Sequence, residues 1–478
     1  MPGTVLLFPP DSDRSYREFE DAGSLLPPMG VASIAGNMRR QGLSVSIVDA
    51  LAEGLSIDAT VDRVLAADPA VLGISLISSS VFIAAEIARK VKARRPSVVV
   101  VAGGPHMSAV AEETMRRMPE FDIGAFGEGE VTAVELARAL EANGGRPQDL
   151  DQVDGIVFRR DGSLVRTKPR AYISDLDTLP FPAYDLLPDL AKFYRLPGDC
   201  LKRLPATSMV ASRGCPKECT FCDRSTFGRR FRSYGVDYLV RLIKHLMGKY
   251  GIRDLAFYDD NLMGSPPKLR AFCERLIAEK LELTWSCFGS VDFIKEDDFK
   301  LMKAAGCWQV SWGLESGSQR MLDLYRKRVK VERMERVLKA SCDAGVDNRG
   351  FFILGGPGET KESMEETLAF IKRAPLANFH VTYFTAYPGS EACRTARDHG
   401  AYDDDWRLLN SFQPNFVPKT ATRDDLDLYF KKYYLAFYFR PRIILYFLKK
   451  LVREPATAKT VWKGFKALSR FAFKRSSC

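Results

Sequence analysis

The hydrophobic residues of the first 150 positions fall into five short, continuous runs with amphipathic stretches between them. The runs are rich in β-branched residues and predict buried strands at Val5–Phe8, Val45–Val48, Val71–Leu76, Val98–Ala102 and Ile123–Phe126. Apolar residues at helical spacing predict helices at Val31–Arg40, Ile57–Ala66, Val81–Arg94, Ala109–Met118 and Val131–Glu141. Apolar strands that alternate with helices are typical of a doubly wound parallel sheet, so residues 1–150 are predicted to form an α/β domain.

The alternation of strands and helices restarts at residue 206 and gives six further units. The predicted strands are Thr207–Ala211, Asp254–Tyr258, Leu283–Phe288, Gln309–Gly313, Gly350–Leu354 and His380–Thr385. The predicted helices between them include Tyr238–Lys249, Lys268–Lys280, Asp297–Ala305, Val331–Ala344 and Lys361–Arg373. Six parallel units predict a partial (β/α)6, TIM-like barrel over residues 206–400, and such barrels carry their chemistry on the loops that follow the strands.

Segments of a different character join and follow the two α/β regions. Residues 151–205 contain a predicted hairpin, Asp154–Thr167, and then a proline-punctuated linker. Residues 401–478 are predicted to form a helical extension, because aromatic residues recur there at spacings of three and four. These residues are Tyr429, Phe430, Tyr433, Tyr434, Phe437 and Tyr438.

Composition places the chain among ordinary globular proteins, with 46% hydrophobic and 27% charged residues in a length of 478. That length predicts about three domains. No run of eighteen uncharged apolar residues occurs, so we expect no membrane-spanning helix. The N-terminal apolar run lacks the preceding basic residues of a secretory signal. Ten cysteines without the spacing of a disulfide framework predict a reducing, cytoplasmic location.

The net charge of +10 is concentrated at the C-terminus. Residues 431–478 hold 13 Lys or Arg and one acidic residue, whereas residues 1–430 carry a net charge of −2. A basic, aromatic helix can lie peripherally on an anionic membrane or bind nucleic acid, and it can also cap the barrel with its charges in solvent. The cap is favoured, the membrane contact is the second interpretation, and nucleic acid is disfavoured.

Three of the cysteines lie close together in the loop that follows the strand at residues 207–211. Cys215, Cys219 and Cys222 have the spacing C-x3-C-x2-C. Three thiolates of one loop can hold three irons of a four-iron cluster and leave the fourth iron open, whereas clusters that only carry electrons normally have every iron ligated. Zinc is the alternative, but zinc sites combine two cysteine pairs or add histidines. The pattern therefore favours a cluster with an open position for a small molecule.

This loop, with the aromatic Phe221 before the third cysteine, resembles that of radical S-adenosylmethionine (SAM) enzymes. The resemblance implies a [4Fe-4S] cluster on the three cysteines, with the open iron chelated by the amino and carboxylate groups of SAM. It further implies that an electron from the cluster cleaves SAM and yields a 5′-deoxyadenosyl radical. Phe221 is accordingly predicted to contact the cofactors.

Motifs at the ends of later barrel strands also resemble this family. The glutamate of G-L-E-S-G is implied to face the SAM pocket, an acidic pair to bind the SAM amine, and the glycines of G-G-P-G-E-T to lie beside the adenine. A serine and an aspartate after the third strand are implied to touch the methionine carboxylate and the ribose. The implied SAM contacts are Asp259, Asp260, Ser290, Asp292, Glu315, Gly355 and Gly356.

The ends of the N-terminal strands carry small and polar residues, at the edge where parallel sheets bind ligands. No G-x-G-x-x-G follows the first strand, which disfavours a dinucleotide. The order of elements and the small residues instead resemble Rossmann-like cobalamin-binding domains, and imply contacts at Ser75, Ser78, Ser79, Gly103, Gly104, Gly127 and Glu128. The D-x-H-x-x-G loop of that family is missing. Cobalt would therefore have no imidazole ligand from the protein, and His106 is predicted to be a loop or turn residue.

The resemblance extends from Val5 to about Gly400 and predicts a radical SAM enzyme, favoured as a cobalamin-dependent methyltransferase acting on an unactivated carbon. A radical SAM cyclase or oxidase is the first alternative, and a non-catalytic cobalamin sensor with a structural cluster is the second. Methylthiotransferases are excluded, because their second cluster needs N-terminal cysteines and none precedes Cys200. We expect a small-molecule substrate, hydrophobic or lipid-like, and an electron donor such as flavodoxin or ferredoxin. The sequence predicts no role for Cys200 or Cys478.

Overall fold

Two mainly parallel sheets organise the computed structural model of the protein, in which residues 3–10, 24–441, 443–445 and 448 are described. The strands of the first sheet are β1 (Gly3–Phe8), β2 (Val45–Asp49), β3 (Pro69–Ser75), β4 (Val99–Gly103), β5 (Ile123–Ala125), β6 (Ile156–Arg160) and β7 (Ser163–Arg166). The helices around it are α1 (Met29–Arg40), α2 (Ile57–Ala66), α3 (Val81–Arg94), α4 (Pro105–Arg117) and α5 (Gly129–Ala142).

The first sheet has the strand order β2-β1-β3-β4-β5-β6-β7. Strands β1 to β5 are parallel, and β1 lies between β2 and β3. The chain therefore winds outward in both directions from β1 and β3, and the carboxyl ends of these two strands form the switch point at which such sheets bind ligands. The predicted doubly wound α/β fold is confirmed.

Two details of this region differ from the sequence-based expectations. The predicted hairpin forms β6 and β7, but β6 also pairs with β5, so the hairpin extends the first sheet instead of belonging to the linker. Helix α4 begins at Pro105 instead of Ala109, because Gly104 turns the chain with φ +92 and proline suits the first helical turn. A kink at Val110 separates this turn from the rest of α4, which explains why apolar spacing revealed only the second part.

The second half of the chain supplies the remaining elements. Its strands are β8 (Ala206–Met209), β9 (Ser212–Arg213), β10 (Arg232–Ser233), β11 (Asp254–Phe257), β12 (Thr284–Gly289), β13 (Cys307–Glu315), β14 (Asp347–Leu354), β15 (Asn378–Tyr383), β16 (Gly400–Tyr402) and β17 (Phe416–Pro418). Its helices are α6 (Leu190–Phe193), α7 (Val236–Tyr250), α8 (Pro266–Ala278), α9 (Asp298–Ala304), α10 (Gln319–Leu324), α11 (Val331–Asp343), α12 (Lys361–Arg373), α13 (Glu391–His399) and α14 (Arg423–Tyr438).

Six of these strands form a curled parallel sheet in the order β8-β11-β12-β13-β14-β15. Neighbours in the sheet are also successive units of the chain, as in a barrel, and the described residues show no pairing of β15 with β8. The predicted partial barrel is therefore confirmed as a half-barrel. All six carboxyl ends lie at one edge, which places the loops after the strands together.

The aromatic stripe of the C-terminal extension forms α14, which packs on the barrel. Its buried residues are Leu426, Tyr429, Phe430, Tyr433 and Phe437. Phe379 of the edge strand β15 meets this helix, with ring centroids 4.5 Å from Phe437 and 4.9 Å from Tyr434. Helix α14 is thus a cap that covers the edge of the sheet, as the favoured interpretation expects.

The basic part of the extension falls largely beyond this helix. No helix among the described residues is long and apolar enough to cross a membrane. Residues 451–478, which carry most of the predicted basic and aromatic tail and include Cys478, lie outside the described part of the chain.

Truncation of the Phe379 ring tests the cap. Phe379 is 1% exposed, so Phe379→Ala is expected to lower the free energy of unfolding by about 3–5 kcal/mol, measured by urea denaturation. Phe439→Ala makes the same truncation at a ring that is 63% exposed and is expected to change the free energy by about 0.5 kcal/mol or less. Equal losses in the two variants would contradict the packing described here.

Candidate active site between the two sheets

A cavity of about 740 Å³ lies between the carboxyl ends of the two parallel sheets. Both sheets line it with strand ends and the loops that follow them. Most of the residues singled out from the sequence are at this cavity: Ser75, Gly103, Gly104, Gly127, Glu128, Cys215, Cys219, Phe221, Cys222, Asp260, Ser290 and Glu315. The structure thus brings the candidate residues of the N-terminal sheet and those of the barrel to a single site.

The cysteine loop joins two short antiparallel strands, β9 and β10. Gly214 enters the loop with φ +79, and a Cβ there would lie 2.5 Å from the carbonyl oxygen of Arg230, so only glycine fits. Cys219 is buried, while Cys215 and Cys222 are half-buried. The loop is therefore closed tightly at its base and holds three cysteines at the cavity wall.

Burial controls the ionisation of the three thiols. Removal from water raises the pKa of Cys215 and Cys219 and raises that of Cys222 to about 12. Lys327 opposes the shift at Cys219. Thiols of this kind become thiolates at neutral pH when a metal displaces their protons. No three His, Cys, Asp or Glu side chains of the described chain are grouped to hold a single metal ion, whereas the cysteines of a four-iron cluster each bind a different iron.

Two consecutive acidic residues after β11 brace the start of the cysteine loop. Asp259 accepts hydrogen bonds from the Ala211 amide at 2.9 Å and from the Ser212 hydroxyl, and Asp260 accepts one from the Gly214 amide at 2.9 Å. Burial raises the pKa of Asp259 to about 7. Of the pair, Asp260 lines the cavity and Asp259 does not, so the expected contact of Asp259 with the SAM amine stays a prediction.

Asn261, the next residue, was missed by the sequence analysis. Its side chain lines the cavity and is 1% exposed, and within the described chain neither its amide nitrogen nor its oxygen has a hydrogen-bond partner. An unpaired buried polar group costs about 1–3 kcal/mol, so native proteins rarely leave one unless something else binds it. The amide is therefore suited to a polar group of a ligand. Its place directly after the acidic pair was the available signal.

A buried ion pair forms another part of the wall. Glu315 ends β13 in a left-handed conformation, with φ +64, and accepts a hydrogen bond from Lys327 at 2.7 Å. Burial opposes the lysine charge, but Glu315 holds the pKa of Lys327 above its usual value. This bond uses one of the three ammonium donors, so the lysine can also bind an anionic group. Lys327 was missed because a lysine within a basic stretch carries no motif.

Ser290 and Asp292 have different positions. Ser290 lies at the cavity and donates to Asp292 at 2.5 Å, and the other oxygen of Asp292 accepts from Lys217 of the cysteine loop, also at 2.5 Å. Asp292 does not line the cavity. Asp292 therefore orients Ser290 and anchors the loop, and its expected ligand contact stays a prediction.

The glycine pair after β14 lies outside the cavity. A Cβ at Gly355 would lie 2.9 Å from Leu426 of α14, and a Cβ at Gly356 would collide with the hydroxyl of Tyr325. Both glycine amides donate to the buried carboxylate of Glu359. Close packing against protein side chains accounts for both glycines, and the expected approach of this backbone to the adenine stays a prediction.

Small residues shape the wall that the first sheet contributes. Gly104 and Gly127 have φ +92 and +80, and a Cβ at Gly104 would lie 2.8 Å from the backbone of Leu76. At Gly103 a Cβ would meet nothing nearer than Ala125, at 4.0 Å. The missing side chains at Gly103 and Gly127 leave bare backbone along the cavity, whereas Gly104 is required by the close approach of Leu76.

Ser78, Ser79 and His106 lie behind this wall. The two serines belong to a short helical turn before α3 and, unlike Ser75, do not line the cavity. Ser78 is 2.9 Å from Nδ1 of His106, whose ring packs edge-on against Trp406 with centroids 4.4 Å apart. Burial lowers the pKa of His106 to about 4. His106 therefore sits in the first turn of α4, and the expected cobalamin contacts of the two serines stay predictions.

Four buried charges connect the two halves of the site. Arg213 pairs with Glu128 at 2.8 Å and with Glu130 at 2.5 Å, and Arg232 pairs with Glu128 at 2.8 Å. Glu128 also accepts from the Ile173 amide at 2.7 Å. The carboxylate of Glu128 is thus held by the protein at the cavity wall, and its expected cofactor contact stays a prediction. Glu128 and Glu130 fasten the end of the first sheet to the strands that flank the cysteine loop.

Comparisons with known proteins find matches to both halves of the chain. A family profile described as the radical SAM superfamily matches residues 209–371, and one described as a B12 binding domain matches residues 19–137. An uncharacterized methyltransferase of Pyrococcus horikoshii is 31% identical over 443 residues, 92% of this chain and 93% of that protein. An anaerobic magnesium-protoporphyrin IX monomethyl ester cyclase of Cereibacter sphaeroides is 27% identical over 434 residues, 89% of this chain and 69% of that protein.

A solved structure shares the fold. The radical SAM methyltransferase TsrM from Kitasatospora setae, with cobalamin and a [4Fe-4S] cluster bound, matches with a TM-score of 0.70 and 16% identity over 92% of this chain and 90% of that one. A B12-binding sheet in front of a radical SAM half-barrel defines a class of enzyme with two cofactor-binding domains. The chain belongs to the radical SAM family whose members carry this B12-binding domain. Its cofactors are a [4Fe-4S] cluster, SAM and cobalamin.

The residues at the cavity fit these groups. Three unpaired cysteines suit the cluster, and the unpartnered amide of Asn261 and the ammonium of Lys327 suit the polar ends of SAM. The bare backbone at Gly103 suits a large, flat ligand such as a corrin.

Glu130→Gln tests the charge cluster that joins the sheets. Burial opposes ionisation of Glu130, but Arg213 and Ser33 hold its pKa below the usual 4.5. The contribution of Glu130 to stability is therefore present at neutral pH and lost as the pH falls through 4.5 and below. Glu130→Gln is expected to destabilise the protein by about 3 kcal/mol at pH 7, and the difference from wild type should shrink on acidification, measured by thermal unfolding.

Glu112→Gln serves as the control, because Glu112 forms an exposed pair with Arg166. Its effect on the unfolding temperature should be small at every pH, since exposed pairs contribute about 0–1 kcal/mol. A Glu130→Gln difference that grew on acidification would contradict the depressed pKa.

Proposed function

We propose that the protein is a cobalamin-dependent radical SAM methyltransferase that methylates an unactivated carbon of a small molecule. The observation that carries this proposal is the single cavity shared by the cysteine loop and the carboxyl ends of the first sheet. When bound there, the cluster, SAM and cobalamin supply one-electron and methyl-transfer chemistry that side chains lack. The Pyrococcus relative, named as a methyltransferase and similar over nearly its whole length, supports the same activity.

The barrel residues have separate tasks in this proposal. Cys215, Cys219 and Cys222 hold three irons and leave the fourth for SAM. Asp260 and Asn261 bind the amino end of SAM, because a carboxylate and an unpartnered buried amide lie together at the cavity after β11. Lys327 binds the SAM carboxylate through the ammonium donors that Glu315 does not use.

Two further groups of residues would complete the SAM pocket and the cobalamin pocket. Phe221 packs edge-on against Tyr325, with centroids 5.4 Å apart, and so presents a fixed apolar wall to SAM. Ser290, held by Asp292, offers its oxygen to the ribose. Ser75, Gly103, Gly104 and Gly127 admit cobalamin at the end of the first sheet.

A hydrophobic substrate suits the rest of the cavity. Its wall includes many apolar side chains, among them Leu6, Phe8, Val31, Ile34, Ile74, Ile77, Val101, Leu136 and Phe227. Apolar walls exclude water, which protects a radical reaction from side reactions. A cyclase is the second candidate, because the Cereibacter relative carries that name.

We extend the proposal to partners and location. A reducing cytoplasm suits the nine described cysteines, none of which forms a disulfide within the described chain. Electrons would come from flavodoxin or ferredoxin. A peripheral membrane contact of the extension would use Phe439, Ile444, Leu445 and Leu448, which are exposed just before the basic tail.

Product analysis tests the chemistry. Anaerobically reconstituted protein given SAM, cobalamin and dithionite is expected to release 5′-deoxyadenosine together with S-adenosylhomocysteine, detected by mass spectrometry. Cys219→Ala should abolish both products, because it removes an iron ligand, whereas Cys342→Ala, outside the loop, should retain them. Release of 5′-deoxyadenosine alone would favour the cyclase, and release of neither product by the wild type would overturn the enzyme proposal.

Gly103→Val tests the cobalamin cradle separately from the cluster. The added side chain has room in the protein, since its Cβ would meet nothing nearer than 4.0 Å, but it projects into the cavity. We expect at least tenfold weaker cobalamin binding by absorbance titration, with unchanged iron content. Gly248→Val is the control, at an exposed helical glycine whose Cβ also meets nothing. Unchanged cobalamin affinity in Gly103→Val would contradict this binding site.

A further inference from the structure

The segment from Leu324 to Lys330 lies over the cysteine loop. The Thr220 amide, between two of the cysteines, donates a hydrogen bond to the Tyr325 carbonyl at 3.1 Å. Side chains alternate along the segment: Tyr325, Lys327 and Val329 are buried, whereas Leu324, Arg326, Arg328 and Lys330 are exposed. One side of the segment therefore faces the cavity through Lys327, and the other side faces solvent directly above the cluster loop.

The solvent side carries an excess of positive charge. Arg328 and Arg229 both pair with Glu218, the residue before Cys219, and their side chains are 71% and 57% exposed. Arg326, 45% exposed, pairs with Glu391. One carboxylate shared by two guanidinium groups leaves a net positive charge beside the cysteines, and Lys330 adds to it. This charge is local, because residues 1–430 together carry a net charge of −2.

The exposed apolar residue Leu324 lies among these charges. Leu324 is 47% exposed at the end of α10. The guanidinium of Arg320 lies nearby, since it donates to the Gly358 carbonyl at 2.7 Å and a Cβ on that glycine would lie 3.0 Å from Leu324. An apolar centre with arginines around it is the composition typical of a protein docking site.

We propose that this outward surface, formed by Leu324, Arg326, Arg328, Lys330 and Arg229, is the docking surface for a small acidic electron-donor protein that carries a flavin or an iron–sulfur cluster. The inference rests on the proposed function, because it requires a redox cluster in the cysteine loop. The donor loses one electron and the cluster gains it, with no proton transferred and no bond made or broken. The opposite side of the loop faces the cavity that the first domain also lines, whereas this side is exposed and open to a protein.

Electrostatics explain why an acidic protein suits this surface. Complementary charge at the rim of an interface speeds association, and screening by salt removes that gain. The effect on the rate of encounter is therefore measurable without knowledge of the substrate.

Stopped-flow reduction of the reconstituted enzyme by flavodoxin hydroquinone tests the proposal. Arg326→Gln/Arg328→Gln is expected to slow the second-order reaction about five- to tenfold at low ionic strength, with a weaker dependence on salt. Reduction by titanium(III) citrate, which needs no docking, should be unchanged. Glu218→Gln, which removes the shared carboxylate, should instead accelerate the reaction with flavodoxin about twofold.

Lys339→Gln is the matched control, since Lys339 is 73% exposed, pairs with Asp343 and lies on α11. Anisotropy of fluorescently labelled flavodoxin measures docking even for a variant that assembles no cluster. Equal rates and equal affinities in the double variant and the wild type would overturn the docking surface. Slowing of the citrate reaction to the same extent would also overturn it, because the arginines would then act on the cluster. A wild type that assembles no cluster would instead refute the proposed function.

Discussion

The buried charge cluster of Glu128, Glu130, Arg213 and Arg232 is the constraint on which the geometry of the site depends. Four charges removed from water are stable only when each faces an opposite charge at hydrogen-bonding distance. Glu128 and Glu130 follow the last parallel strand of the first sheet, and Arg213 lies two residues before Cys215. The pairing therefore fixes how the first sheet sits against the cysteine loop, and a flexible linker alone could not.

The pairing of charges in this cluster could not be predicted from the sequence. The strands, the half-barrel and the cysteine loop were predictable because apolar periodicity and C-x3-C-x2-C are local patterns. Glu128 is predicted to contact a ligand because polar residues at strand ends often do, but its pairing with Arg213 is not predictable in this way. Its partner Arg213 is 85 positions away, and no local pattern records a contact between residues so distant. The linker hairpin was misplaced for a similar reason, since only the fold shows that β6 pairs with β5.

Whether a glycine at a strand end marks a ligand site depends on what surrounds it. Gly103 and Gly355 occupy similar places in the sequence, because each lies at or just after the end of a parallel strand. In the structure Gly103 leaves open space, whereas Gly355 is packed against Leu426, a residue of the C-terminal cap. A missing side chain therefore marks a ligand site only where no other part of the chain fills the gap. Leu426 of α14 lies 71 positions after Gly355 in the sequence, so the turn motif alone does not reveal this contact.

The segment from Leu324 to Lys330, which lies over the cysteine loop, has a strained backbone at two of its arginines. Arg326 and Arg328 have φ +51 and +53, and a left-handed conformation at a residue other than glycine costs about 1–3 kcal/mol. The arrangement persists because it directs Lys327 inward to Glu315 while both arginines remain in solvent. In a regular helix, the side chains of neighbouring residues do not alternate between opposite sides in this way. The strain therefore lets one short segment serve the cavity and the outer surface of the same loop.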